Sequence, residues 1–192
     1  MIPVLLAAVA YLLGSIPFGL WLVKAWKGID VREVGSKNIG TTNVYRAAGK
    51  GAAAAVFLLD VAKGYAPVLV ALLLAQPAWV AVLAGAMAIV GHSKSVFLKF
   101  TGGKSVATGI GTIFAISPVA AGVALGIFAL VFAPTRMVSA GSIVAALSLP
   151  PLMVYLKLDP VFVGYAAAAA AYVVVRHREN IQRIFQGQER RL

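Results

Sequence analysis

Gly91-His92-Ser93-Lys94-Ser95-Val96-Phe97-Leu98-Lys99-Phe100-Thr101-Gly102-Gly103-Lys104-Ser105 interrupts a chain that is otherwise almost purely apolar. A histidine, three lysines and a glycine pair lie here between two greasy runs, residues 78–90 and 105–116. The flanks read as membrane-embedded helices and this stretch as the loop joining them at one surface. Gly102-Gly103-Lys104 ends the loop, and Ser105-Val106-Ala107-Thr108 reads as the first turn of a helix. Glycines let backbone N–H groups approach an anion, a helix N-terminus adds unpaired donors, and Lys104 adds a full charge. The pattern suits a phosphate cradle. It is not a Walker A loop, because Leu98 occupies the position where that motif needs glycine. The plainer alternative is a tethered cytoplasmic loop with a glycine turn.

Composition supports the membrane reading. Of 192 residues, 61% are hydrophobic and 12% charged, with mean hydropathy +0.92. A soluble domain is about half apolar and about a quarter charged. The sequence therefore predicts an all-α integral membrane protein, folded as one domain over residues 1–192. The net charge of +11 could indicate nucleic acid, but the basic residues sit in short loops between apolar runs, as a topology signal would place them. No nucleic-acid partner is expected. With no cysteine, disulfides and thiolate chemistry are excluded. The first apolar run lacks a basic leader and continues too far for a cleaved signal, so it is expected to be retained.

Outward from the central loop, the expected spans are residues 2–23, kinked at Pro17, then 52–75 and 78–90. These are followed by 105–116 and 119–132, broken at Ser117-Pro118, then 138–156 and 161–175. A bilayer core needs about 20 apolar residues. The count is about seven if every run crosses, or five with short or re-entrant helices. The polar connection 24–50, the 91–104 loop, the Arg136 loop and the basic tail from Arg176 fall on one side. They hold every Lys and Arg except Lys63, inside a span, and Lys157, on the other side. That bias predicts an external N-terminus, a cytoplasmic C-terminus and a cytoplasmic functional face. Asp60 and Lys63, three apart, read as an intrahelical pair near the cytoplasmic end.

Three stretches carry groups suited to chemistry. Gly35-Ser36-Lys37-Asn38-Ile39-Gly40-Thr41-Thr42-Asn43-Val44-Tyr45-Arg46 concentrates glycines, hydroxyls, amides and an arginine beside the bilayer, as a phosphate or oxyanion site would. Residues 43–48 read as one short helix, with Thr42 as its cap and Arg46 on its inner face. The second stretch is the central loop. The third is Arg176-His177-Arg178-Glu179-Asn180-Ile181-Gln182-Arg183, where His177 and Asn180 face the same way. Arg178 and Arg183 either bind lipid phosphates or mark topology. Ser142, in Ser139-Ala140-Gly141-Ser142, is a fourth and weaker candidate whose surroundings equally suit helix packing. The two histidines lie far apart without a carboxylate cluster, so no metal is expected. There is no Gly-x-Ser-x-Gly elbow. The His-x-x-x-x-Asp signature of common glycerolipid acyltransferases is absent, since Phe97 and Gln182 stand where aspartate is required. One-sided polarity favours an enzyme over a small transporter for a phosphate-bearing solute. A non-catalytic lipid-binding scaffold is the other alternative.

Together the three stretches resemble the cytoplasmic motifs of the bacterial acyl-phosphate:glycerol-3-phosphate acyltransferases, the PlsY family. The first runs from Gly35 to Arg46, departing at Lys37 and Thr41. The second runs from Gly91 to Thr108, departing at Lys94, Ser95 and Ser105. The third runs from His177 to Arg183. Lys37 and Ser105 replace glycines of the pattern. The resemblance implies transfer of a fatty acyl group from acyl phosphate to the 1-hydroxyl of glycerol 3-phosphate. The products would be 1-acylglycerol 3-phosphate (lysophosphatidic acid) and phosphate, the first acylation of phospholipid synthesis. It implies direct attack without an acyl-enzyme, no cofactor, and a functional monomer in membrane lipid. It assigns Gly102, Gly103, Lys104 and Ser142 to glycerol 3-phosphate, with His177 and Asn180 orienting its glycerol end. Ser36, Asn38, Gly40, Thr41 and Asn43 go to the acyl phosphate or its developing oxyanion, Arg46 to both phosphates, and His92 to substrate binding. Ser36, Arg46, His177 and Asn180 form the catalytic set, and His177 or a substrate phosphate is the base.

Overall fold

The computed structural model describes residues 1–192, and its regular secondary structure is helical, apart from one isolated bridge between Ser95 and Thr101. Its helices are α1 (Ile2–Ser15), α2 (Phe18–Lys27), α3 (Thr41–Leu73), α4 (Ala78–Ser93), α5 (Val106–Ile116), α6 (Pro118–Thr135), α7 (Val138–Tyr155), α8 (Pro160–Arg176) and α9 (Arg178–Phe185), with a 3-10 turn at Val96–Leu98. They form two compact units, Met1–Ala115 and Ile116–Leu192.

Four spans are long and apolar enough to cross a membrane: Ile2–Lys27, broken at Pro17, then Thr41–Leu73, Pro118–Thr135 and Val138–Tyr155. A fifth exists if α8 and α9, bent by 61°, are taken together. Helices α4 and α5 have 16 and 11 residues. At about 1.5 Å per residue they reach only about 24 and 17 Å, short of a hydrocarbon core of about 30 Å. Length alone thus supports the five-span alternative better than seven. The expected kink at Pro17 is present as a full break, because Pro17 cannot continue the helical ladder. The helix resumes to Lys27, beyond the expected end at Val23.

In the first unit α1 lies along α4, and the contact is made by small residues. A Cβ at Gly14 would collide with the Ala88 carbonyl, and one at Gly91 with the Tyr11 carbonyl. Helix α5 docks on α3 in the same way, with Gly64 against Thr108 and Gly111 against Val61. Close backbone approach is how helices associate where lipid supplies no hydrophobic drive. The polar connection is anchored separately. Val31 and Ile39 are buried with Leu20, Val23, Val44, Val56 and Leu98, which pins the loop to α2 and α3. In the second unit α7 packs between α6 and α8, with Gly141 seated on the Phe128 ring.

Candidate functional site

The first loop is shaped by Asn43. Its side chain is 2% exposed. Its Oδ1 accepts the Ser36 N–H at 2.8 Å, and its Nδ2 donates to the carbonyls of Val31 (2.7 Å), Asn38 (2.9 Å) and Val34 (3.0 Å). Asn43 therefore organises the loop backbone. Its amide is committed to the loop backbone, a structural role beside the one the resemblance assigns it. Gly35 and Lys37 take left-handed φ values of 59° and 58°, turning the chain so that Ser36 stands exposed at the tip. Asn38 Oδ1 accepts the Gly40 N–H at 2.9 Å. The helix begins at Thr41, with Gly40 as N-cap and no side-chain cap. Thr42 is thus inside the first turn and is not the cap, a correction of two residues. The short helix ends where expected, because Gly49 (φ 84°, ψ −176°) breaks α3. Residues 41–48 form one segment, carrying half-buried Arg46, and residues 50–73 the other. The Thr41 hydroxyl is buried and makes no hydrogen bond, which leaves an oriented donor at a helix start. Upstream, the Arg32 guanidinium hydrogen-bonded to Asp30 (2.6 Å) lowers that carboxyl to about 2.

The central loop is fastened at both ends. Ser95 donates through Oγ to the Ser15 carbonyl (2.5 Å), and its N–H donates to the Thr101 carbonyl (3.1 Å). The Ser105 hydroxyl donates to the Ile89 carbonyl (2.8 Å). The helix expected to follow Gly102-Gly103-Lys104 starts at Val106. The glycine pair has a steric role beside the expected one. Neither Gly102 nor Gly103 has a left-handed φ, and the Gly103 N–H donates to the His92 carbonyl at 3.1 Å rather than pointing at an anion. Both glycines exist for steric reasons. A Cβ at Gly102 would collide with the His92 carbonyl, and one at Gly103 with the His92 ring. His92 is itself 4% exposed, at the end of α4 beneath the glycines, with Nδ1 3.7 Å from Asp60 Oδ1. It supports the loop from below, a structural role beside its expected place among substrate ligands. Lys104 remains half-buried at the mouth of α5.

In the second unit His177 occupies the corner between α8 and α9, 3% exposed, with Nδ1 2.8 Å from the Val173 carbonyl. A carbonyl only accepts, so Nδ1 carries the proton and Nε2 is the basic nitrogen. Asn180 Nδ2 donates to Glu189 Oε1 at 2.6 Å. Glu189, absent from the expected set, also accepts from Ser139 Oγ (2.8 Å) and Arg183 Nε (2.8 Å). Burial pushes its carboxyl up, but the bonds from Asn180, Ser139 and Arg183 outweigh that and hold it below the ordinary glutamate value. Arg183 thereby has an internal partner. Ser142 is buried and donates to the Val138 carbonyl at 2.8 Å. The tail folds back: Leu192 N–H donates to the Arg136 carbonyl (2.9 Å), and Arg136 Nε to the Leu192 carbonyl (2.7 Å).

This is a polytopic helical membrane protein. The family model described as glycerol-3-phosphate acyltransferase matches residues 4–187, and the chain belongs to that family. Similar curated relatives, each named glycerol-3-phosphate acyltransferase, come from Acaryochloris marina (48% identical, covering 97% of this chain and 91% of the relative) and Geobacter sulfurreducens (46%, covering 97% and 96%). Two solved structures of PlsY (YgiH), an integral membrane glycerol 3-phosphate acyltransferase, cover 100% of this chain and 96% of theirs. The glycerol 3-phosphate form has TM-score 0.96 at 39% identity, and the lysophosphatidic acid form 0.95 at 38%.

Proposed function

We propose that this acyltransferase moves a fatty acyl group from acyl phosphate to the 1-hydroxyl of glycerol 3-phosphate at the cytoplasmic face of a bacterial inner membrane. The acylation of glycerol 3-phosphate to lysophosphatidic acid is the family's activity. Acyl phosphate as donor, the five-span topology with external N-terminus, the single functional domain and the monomeric state are the finer parts of the reading. The observation that carries it is the unpaired, buried Thr41 hydroxyl at the start of a helix whose preceding loop exposes Ser36, with Arg46 five residues on. Hydroxyls, helix N–H groups and a guanidinium suit a phosphate and the oxyanion that develops at an attacked acyl carbon.

The roles follow the resemblance as modified by the geometry. Ser36, Asn38, Gly40 and Thr41 receive the acyl phosphate, with Asn43 holding their loop. Arg46 neutralises phosphate. Lys104 binds the glycerol 3-phosphate headgroup on a backbone shaped by Gly102 and Gly103. Ser142, His177 and Asn180 orient the glycerol end. The 1-hydroxyl oxygen attacks the acyl carbon, the carbon–oxygen bond to phosphate breaks, and inorganic phosphate leaves. The hydroxyl proton passes to His177 Nε2 or to a substrate phosphate oxygen. Acyl phosphate is a mixed anhydride with a good leaving group, so no covalent enzyme intermediate is needed.

The test supplies purified protein with palmitoyl phosphate and glycerol 3-phosphate, and follows phosphate and lysophosphatidic acid together. Equal release of both is expected, reduced by about 100-fold or more in Lys104→Ala, Arg46→Ala and His177→Ala. Turnover with acyl-CoA or acyl carrier protein but not acyl phosphate would overturn the donor. No product from folded protein would overturn the reading as a whole.

A further inference from the structure

Beneath the glycine loop runs a line of buried polar groups that the reaction itself does not use. It starts at the Ile16 carbonyl, beside the Pro17 break, which accepts from Lys63 Nζ at 2.8 Å. Lys63 Nζ is 2.8 Å from Asp60 Oδ1, which is 3.7 Å from His92 Nδ1. The His92 ring then lies against Gly103, and its carbonyl receives the Gly103 N–H. None of the three side chains is more than 5% exposed. Charges placed at such depth are costly, and an apolar replacement of a buried ion pair is often as stable or more so. Stability is therefore a poor reason for this line. Its geometric consequence is specific: it links α1, α3 and α4 and ends on the backbone that presents Lys104.

We propose that Asp60, Lys63 and His92 are positioning residues for glycerol 3-phosphate. The pair on α3 fixes the His92 ring, and the ring and carbonyl of His92 fix Gly102-Gly103 and so aim Lys104. This rests on the reading that the central loop takes the glycerol 3-phosphate headgroup. The glycines and the histidine are complementary parts of one device, since the His92 carbonyl occupies the space that a side chain at 102 would need and its ring the space at 103.

A double-mutant cycle tests it, read as KM for glycerol 3-phosphate against kcat, with thermal stability in detergent measured alongside. Gly103→Ala drives a methyl into the ring and displaces the loop, raising KM about 10- to 100-fold with kcat less affected. His92→Ala keeps the accepting carbonyl but removes the ring. Gly103→Ala added to His92→Ala should then cost almost nothing more, a large non-additivity. Additive effects would overturn the proposal. Asp60→Leu with Lys63→Met removes both charges together. The expected result is retained thermal stability with raised KM for glycerol 3-phosphate and unchanged KM for the acyl donor, whereas an unchanged KM for both would overturn it. If the doubly apolar variant fails to fold, the His92–Gly103 cycle decides alone. Wild-type protein that makes no lysophosphatidic acid would defeat the functional reading. Active wild type with additive variants defeats only the positioning role.

Discussion

Lys37 and Ser105 hold φ values of 58° and 60°, a region where a Cβ crowds the following carbonyl at roughly 1–2 kcal/mol. Glycine avoids that penalty but loses about 0.5–1 kcal/mol of backbone entropy on folding. Lys37 is exposed, so Lys37→Gly should raise stability by up to about 1 kcal/mol. Ser105 differs, because its hydroxyl is buried on the Ile89 carbonyl, a bond worth about 1 kcal/mol. Ser105→Gly should be near neutral, while Ser105→Ala keeps the strain, loses the bond and falls by about 1 kcal/mol. Thermal unfolding in detergent checks the ranking, and equal stability of the two Ser105 variants would contradict it. Both positions were legible as places where the family pattern expects glycine. The steric role of Gly102 and Gly103 was not. It arises from the His92 carbonyl and ring, ten and eleven residues before the two glycines across a stretch that doubles back, and no local pattern reports such an approach. The structural role of Asn43 was hidden for a similar reason: an amide beside hydroxyls reads as a ligand, and its carbonyl partners, 5 to 12 residues earlier, leave no local pattern.

At the scale of elements, α9 and the tail after it act as a strap on the second unit. Sequence revealed its basic character and the shared face of His177 and Asn180, but read the stretch as the end of the last span and not as a separate helix after a corner at His177. It did not reveal Glu189, whose partner Ser139 lies 50 residues away. The available clue was an acidic residue among the arginines of the tail. The strap has a pH signature. Its carboxylate is held below the ordinary value, given as 4.5 for the unperturbed group, so the folded state binds that proton less readily than the unfolded state. The stabilisation is complete above that ordinary value and is lost as pH falls through the lower folded one. Glu189→Gln should therefore cost about 1.5–3 kcal/mol at neutral pH, the range for hydrogen bonds to a charged group. The deficit relative to wild type should shrink as the pH is lowered below 4.5. Paired melting curves across that range measure it, and a gap that stays constant with pH would show that the charge does not hold the strap.

Across the whole molecule, the charge bias argued for topology more firmly than helix length did. Apolar runs blur into one another, and a break at Pro17 or Ser117-Pro118 looks alike whether the chain crosses or turns back. Helix α5, with 11 residues, reads as a span by composition and fails by reach. Loop charge carries no such ambiguity, since positive residues resist translocation whatever the helices between them do. The absence of cysteine makes the consequence directly testable, because any thiol introduced is the sole label site. Lys50→Cys and Gln188→Cys should react with a membrane-impermeant maleimide only after intact cells are permeabilised. Ala75→Cys and Lys157→Cys, both exposed, should react without permeabilisation. Acyltransferase activity measured on each variant ensures that the labelled protein is the folded one. Early labelling at Lys50 or Gln188 would place the arginine- and lysine-rich loops outside the cell, away from a cytoplasmic supply of phosphorylated substrates. That result would break the link between the basic face and the chemistry assigned to it, even if the helices themselves stood as described.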